Sequence, residues 1–295
     1  MRARTTNALL ANIAAASLAG CGGGGPENAA ATIPPPPVIP TPTPTPTILS
    51  AAKTGQEFAS KGTTYFDGVR TDPKTADSDQ LKVRYEATSG TYEIQLPAGS
   101  SWLTILPDTD PAGSGWKTTD GAVRLGADGS TNVSLVYWSA QNSFGVTAVA
   151  IPTPASAIPR TGSGQYSGSL AGYSSERVPI SQEPTILGFG TIRGTINLTF
   201  DFATGALGGS IAPTLFGRFT THAALPTLSF TDTVHTAGSP NFSGRFDTGL
   251  AGANSFSGVF AGPGATEVGG NFAFPYLSPI DGTPQEAAGA FSAHQ

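Results

Sequence analysis

Few side chains in this sequence are of a kind that does chemistry. There is one cysteine, Cys21, and there are three histidines, His222, His235 and His294, in 295 residues. A thiol can act as a nucleophile or take an acyl chain, and several imidazoles could hold zinc. The histidines are too scattered for that. None lies in an HExxH arrangement or another metal-ligand spacing, and His222 and His235 read as loop or strand-end residues. A single cysteine excludes an internal disulfide framework and a Cys-based zinc site. Asp108-Thr109-Asp110-Pro111-Ala112-Gly113 begins like a calcium loop. Ala112 lacks the oxygen that position needs and no Glu closes the loop, so a turn is expected. Asp77 and Asp79 fall in a polar stretch and read as solvated charge. There is no G-x-S-x-G elbow and no phosphate-cradling GxxxxGK[ST] loop. The chain is therefore expected not to be an enzyme, with no catalytic residue, cofactor or metal. Its net charge of -5 argues against nucleic acid as a partner.

The chemistry that remains belongs to Cys21. Arg2 and Arg4 precede a short apolar run, Ala8 to Leu18, too short to span a bilayer and laid out like an export signal. Leu18-Ala19-Gly20-Cys21 resembles the lipobox of bacterial lipoproteins. Small side chains at Ala19 and Gly20 let a peptidase reach the backbone, so residues 1–20 are expected to be removed by cleavage between Gly20 and Cys21. The Cys21 thiol would take a diacylglycerol and the freed amine a further acyl chain. At about 0.8 kcal/mol per buried methylene, several chains give lasting attachment to a membrane. Gly22 follows where Asp would, by the enteric-bacterial rule, favour the inner membrane, so the resemblance implies the outer one. Residues 21–50 then form a spacer. Glycines come first, then Pro34 to Pro37, then alternating Thr and Pro from Thr41 to Thr47. Proline at this density adopts extended polyproline II, giving a tether of at most roughly 90 Å.

The elements beyond the tether read as strands. Charged residues are few, and Gly and Pro are many, at 38 and 25. That is the composition of an all-β protein rich in turns. Residues 51–158 form a first β-rich unit. Leu81, Val83 and Tyr85 alternate with Lys82, Arg84 and Glu86, and Tyr92, Ile94 and Leu96 with Thr91, Glu93 and Gln95. Further strands are expected near 102–106, 123–125, 133–137 and 144–149. Residues 152–164 mark a crossover into a second unit, 159–295. Its clearest strand is 192–202, where Ile192, Gly194, Ile196, Leu198, Phe200 and Phe202 share one face. Other strands are expected near 166–170, 206–220, 227–234, 241–247, 254–260, 266–274 and 289–291. Eight strands can close a barrel without an exposed edge. Glycines among the phenylalanines suit a barrel interior in which large and small residues alternate. Phe200, Phe246, Phe260 and Phe272 are expected inside. Alternation alone leaves open whether the apolar face points inward, as in a water-bathed barrel, or outward, as in a bilayer-spanning one.

Four side chains stand apart. Trp102 and Trp138 are expected in the core. Trp116, in the polar segment AGSGWKTTD, is expected on a loop as a candidate partner contact. Glu267, beside the turn Gly262-Pro263-Gly264, either accepts backbone hydrogen bonds or is a solvated edge charge.

The run Phe256-Ser257-Gly258-Val259-Phe260-Ala261-Gly262-Pro263-Gly264-Ala265-Thr266-Glu267-Val268-Gly269-Gly270-Asn271-Phe272, with Gly289-Ala290-Phe291 after it, resembles the C-terminal barrel of transferrin-binding protein B-like surface lipoproteins. Phe144-Gly145 through Pro159, Gly162, Gly164, Tyr166 and Gly168 is similar to the start of that domain. Residues 51–143 fit more loosely, as the family's handle-like domain. The resemblance implies an all-β fold: a C-terminal antiparallel eight-stranded soluble β-barrel preceded by a smaller handle-like domain. It implies a non-catalytic binding protein, lipid-anchored through Cys21 at the outer membrane, on the cell surface or, as the alternative, on the periplasmic face, for a host or environmental iron- or solute-carrying protein. An outer-membrane transporter would be a further partner. A structural or immune-interaction lipoprotein similar to factor H-binding proteins is the second reading.

Overall fold

The computed structural model describes residues 57–66, 74–76, 81–86, 91–95, 101–107, 115–118, 121–125, 131–140, 143–179, 187–217 and 221–295. The signal, Cys21 and the tether lie outside them, as do Asp77, Asp79 and the Asp108 segment. None of the described residues forms a helix long and apolar enough to cross a membrane.

The first unit is a nine-stranded antiparallel sheet. Its strands are β1 (Ala59–Phe66), β2 (Lys74–Ala76), β3 (Lys82–Glu86), β4 (Thr91–Gln95), β5 (Leu103–Pro107), β6 (Gly115–Thr118), β7 (Gly121–Leu125), β8 (Val133–Ala140) and β9 (Ser143–Ala150). The order is β2-β1-β9-β8-β7-β6-β5-β4-β3. The sheet curls until its β3 edge meets the chain leading into β1. Glu57 bridges Arg84, and the Phe58 N–H donates to the Val83 carbonyl at 3.0 Å. Phe58, Leu81, Val83, Ile94, Val136, Trp138 and Val149 fill the hollow. Of the tryptophans expected in the core, Trp138 is buried there, whereas Trp102 is half-buried with the Arg84 guanidinium 4.2 Å above its ring. The sequence pattern missed β1, β2 and β6, whose residues ASKGTTYF, KTA and GWKT carry no apolar alternation.

The second unit contains β10 (Ser163–Pro179), β11 (Leu187–Asp201), β12 (Ala206–Phe216), β13 (Thr221–Ala224), β14 (Leu228–His235), β15 (Asn241–Phe246), β16 (Ser255–Ala261), β17 (Glu267–Leu277) and β18 (Pro284–His294). The order β11-β10-β18-β17-β16-β15-β14-β12 closes through β11 on β12, and β13 adds only to the end of β12. A ring of eight antiparallel strands results. The strand expected over 206–220 ends at Phe216, and Phe144-Gly145 lie in β9 of the first sheet rather than at the start of the barrel.

The apolar face points inward. Ile192, Ile196, Leu198, Phe200 and Phe202 of β11 and its turn are buried, as are Phe246, Phe260 and Phe272. Outward, Arg193, Thr195, Asn197 and Thr199 are exposed. A bilayer-spanning barrel needs the opposite, an apolar outer band. The glycines let the rings fit. Phe242 faces Gly258, Gly244 faces Phe256, Gly270 faces Phe291, and Phe272 faces Gly289 across the ladder. A Cβ at any of these glycines would overlap the neighbouring ring. Each ring thus lies over a backbone that has no side chain of its own, as a close-packed interior requires.

The wall formed by the second half of β16, by β17 and by the middle of β18 is buried on both faces. Its outward residues are small, and the first sheet lies on them. Ala171 and Ala290 pack with Leu135, Val146 and Ala148, while Val259 and Ala261 pack with Val133 and Ala150. Gly269 supplies a close approach to Val133, and the β16–β17 register runs through it without a bulge.

Candidate functional site

The two ends of the barrel differ in chemistry. The near end carries the turns at Phe202–Gly205, Thr236–Pro240 and Gly262–Thr266. The far end carries the turns at Asp247–Asn254 and Ser278–Thr283.

The near end is a sealed joint. Gly262 and Gly264 have φ of +74° and +67°, as the Gly-Pro-Gly sequence foretells, and Ala265 follows at +60°. A non-glycine residue in the left-handed region is strained unless its surroundings hold it. Here Ala265 is fully buried, and its carbonyl accepts the Tyr166 hydroxyl, which also accepts a bond from Gln295 Nε2 at 2.9 Å. Burial pushes the Tyr166 phenol up to about 12. Glu267 settles between its two expected roles. Its carboxylate accepts the backbone N–H of Thr131 at 3.0 Å and of Asn132 at 2.8 Å. The Thr131 hydroxyl and the Asn132 amide donate at 2.8 and 3.0 Å. Two successive N–H groups aimed at one carboxylate form a small anion nest. The anion comes from the barrel and the nest from the first sheet. Thr153 adds a bond from its hydroxyl to the Gly262 carbonyl at 2.7 Å.

His235, the last residue of β14, plugs the near end from inside. It is a strand-end residue as expected, yet it is buried, with neither ring nitrogen hydrogen-bonded among the described residues. Phe200, Phe260 and Phe202 surround it at centroid distances of 5.4, 5.5 and 6.3 Å. Burial lowers its pKa, and the nearby Ser239 and Gly205 backbone only softens the effect. The bulge between Thr231 and Val234 shifts the parity of β14 before His235, so alternation could not have foretold its inward aim. His294 is exposed at the end of β18, and His222 lies on β13.

The far end presents a braced hairpin. Glu176, buried at 3% exposure, accepts the Tyr276 hydroxyl at 2.9 Å and the Ser278 hydroxyl at 2.7 Å. Ser174 hydrogen-bonds the same Tyr276 oxygen. Burial, reinforced by the Glu176 charge, drives the Tyr276 pKa far above the ordinary phenol value. The Ser278 oxygen in turn accepts the N–H of Ile280 at 3.0 Å and of Asp281 at 3.3 Å. A buried carboxylate therefore holds the backbone of a surface turn through one serine. The hairpin displays two apolar side chains to water, Leu277 at the end of β17 at 51% and Ile280 in the turn at 53% exposure. Sequence reading missed this group. Its signal was present: Tyr166, Leu170, Ser174, Glu176 and Val178 share one parity, which places a carboxylate on the inward face.

Trp116, the candidate partner contact, is on strand β6 and not on a loop, opposite Val123 of β7 and Pro107 of β5. Among the described residues no group of three or more His, Cys, Asp or Glu could hold a metal.

The second unit is thus a closed, aromatic-filled eight-stranded barrel with a curled sheet on one wall. Residues 158–295 match the family model of the C-lobe and N-lobe beta barrels of Tf-binding protein B. Over those residues, which make up the barrel and the segment leading into it, the chain is similar to the transferrin-binding protein B barrels. Among solved structures it is similar to isotype 1 transferrin binding protein B of serogroup B Neisseria meningitidis, at 18% identity and a TM-score of 0.45, over 80% of this chain and 43% of that one. It is similar to transferrin binding protein B of Haemophilus parasuis Hp5, a Trp-176-Ala mutant, at 17% identity and a TM-score of 0.43, over 80% and 45% of the two chains. The N-lobe domain of lactoferrin binding protein B of Moraxella bovis matches at 11% identity and a TM-score of 0.32, over 82% of this chain and 100% of that one. This chain spans less than half the length of the two transferrin binding proteins. No curated protein sequence gives a significant match.

Proposed function

We propose that this protein is a non-catalytic receptor, anchored by lipid on Cys21 to the outer membrane and exposed at the cell surface. Its partner is a protein that carries iron or another solute, handed on to an outer-membrane transporter. The observation that carries the proposal is the far-end hairpin. Leu277 and Ile280 stand in water on a backbone fixed by Glu176, Ser278 and Tyr276, which suits a preorganised protein contact. The names of the matched proteins, transferrin- and lactoferrin-binding, support the class of partner. The family of the barrel is one of binding proteins and not of enzymes. Trp116 and the exposed parts of residues 51–158 extend the binding surface. The lipobox and tether support the anchored form.

The test is pulldown from host serum, and from iron-carrier preparations, with the protein released from its lipid. Leu277→Ser with Ile280→Ser should abolish capture, and Trp116→Ala should weaken it. Capture unchanged by all three substitutions, or a hydrolytic activity with no captured protein, overturns the proposal. Mass spectrometry of the membrane fraction should give an N-terminal peptide that begins at Cys21 and carries added lipid.

A further inference from the structure

Where the outer wall of the barrel passes from exposed β14 and β15 to the wall under the first sheet, it carries a cleft of about 390 Å³ lined by Asp232, Ser243, Arg245, Ser255, Ser257 and Asn271, with Gly244 and Phe256 beneath. Three observations make it more than a groove between strands. First, β14 pairs with β15 on either side of a bulge, Thr231 facing Arg245 and Val234 facing Ser243. The bulge turns Asp232 outward at φ +46°, a conformation that Asp tolerates better than most residues. Second, Asp232 and Arg245 have neither an ion-pair nor a hydrogen-bond partner among the described residues, and they do not pair with each other. Third, Asn271 is only 6% exposed, and its amide is half-used. Its oxygen accepts the Ser257 hydroxyl at 2.6 Å, while its NH2 has no partner among the described residues.

These groups define a ligand. Arg245 and the Asn271 NH2 are donors for a carboxylate, and an Arg–carboxylate pair is the stronger kind of hydrogen bond. Asp232 accepts from hydroxyls, and Ser243 and Ser255 can both donate and accept. An α-amino acid sets its ammonium beside its carboxylate and would need a cation and an anion side by side. Here Asp232 and Arg245 make no ion pair with each other, and serine hydroxyls line the cleft with them. We propose that the cleft binds a small carboxylated polyol, the chemistry of an acidic sugar residue, with the carboxylate on Arg245 and Asn271 and ring hydroxyls on Asp232 and the serines. The volume lies within the range of small-molecule sites and suits one such residue.

The test is saturation-transfer NMR and calorimetry on the full chain with N-acetylneuraminic acid and glucuronic acid, and with glucose and alanine in parallel. At least one acid should bind saturably and at least tenfold more tightly than glucose or alanine. Arg245→Gln should weaken that binding at least tenfold. Asp232→Asn, which keeps the tolerance for positive φ, should weaken it severalfold. Arg193→Gln, which removes the same charge from another part of the outer wall, should leave it unchanged. No saturable binding of either acid overturns the proposal. So does glucose or alanine binding as tightly, or an Arg245→Gln protein that binds as the parent does.

Discussion

The two outer walls of the barrel are built by the same alternation and end in different environments. On β11 the outward residues are Arg193, Thr195, Asn197 and Thr199, and water covers them. On β17 and β18 the outward residues include Gly269, Ala273, Ala288 and Ala290, all buried, and the first sheet lies on this wall. A two-residue period therefore says that a strand has two faces, without saying that one of them is wet. The chemistry of the second face decides. Hydroxyls and charges mark solvent, while a run of Gly and Ala marks another layer. It follows that the barrel should not be expected to behave normally without the first sheet, since removal would expose that small-residue wall.

Five measurements would break or sharpen this contrast. A charge on the covered wall should do most damage. Ala290→Glu buries an unpaired carboxylate in a packed interface and should cost about 4 kcal/mol or more in denaturant unfolding. Phe200→Ala removes a fully buried ring in contact with Tyr166, Phe242, Phe260 and His235. That should cost about 3–5 kcal/mol, and a loss below about 1 kcal/mol would refute the inward face. Glu267→Ala orphans the N–H groups of Thr131 and Asn132 and should cost about 3 kcal/mol, with protease sensitivity appearing first in the 57–150 sheet. The fourth concerns pH. The folded pKa of His235 lies below its unfolded value because burial disfavours the cation. The unfolded chain therefore takes up the proton first as pH falls through about 6.5, and stability drops progressively from there towards the folded pKa. His235→Phe should flatten that slope, and an unchanged slope would assign it to other groups. The smallest effect belongs to the wet wall. Thr195→Glu should change stability by no more than about 0.5 kcal/mol. A large cost there would mean that this wall, too, is covered.

How far the sequence could be read depended on whether a residue's surroundings are local. The β11 strand was legible because six same-parity residues from Ile192 to Phe202 are apolar or glycine. The near-end turn was legible because Gly262, Pro263 and Gly264 dictate backbone angles directly. Trp116 was misplaced because a four-residue strand in a polar stretch of sequence has no period to detect. Glu267 stayed ambiguous because its partners lie more than 130 residues away, at Thr131 and Asn132. Asp232 and Arg245 were invisible as a pair because a bulge, which leaves no pattern in single-residue chemistry, is what brings them to one cleft.

The seam between β10 and β18 has a consequence for the order of events during folding. Leu170 pairs with Phe291 and Tyr173 with Ala288, so the ring closes only through contacts more than a hundred residues apart. The Thr63 hydroxyl reaches the Gly289 carbonyl across 226 positions. Such contacts pay a large loop-closure entropy before they return any energy, which makes folding slow. A chain emerging N-terminus first cannot finish either its barrel or the bed for its first sheet until β18 is free. Over that interval the barrel stays open, with the β10 edge waiting for its last partner.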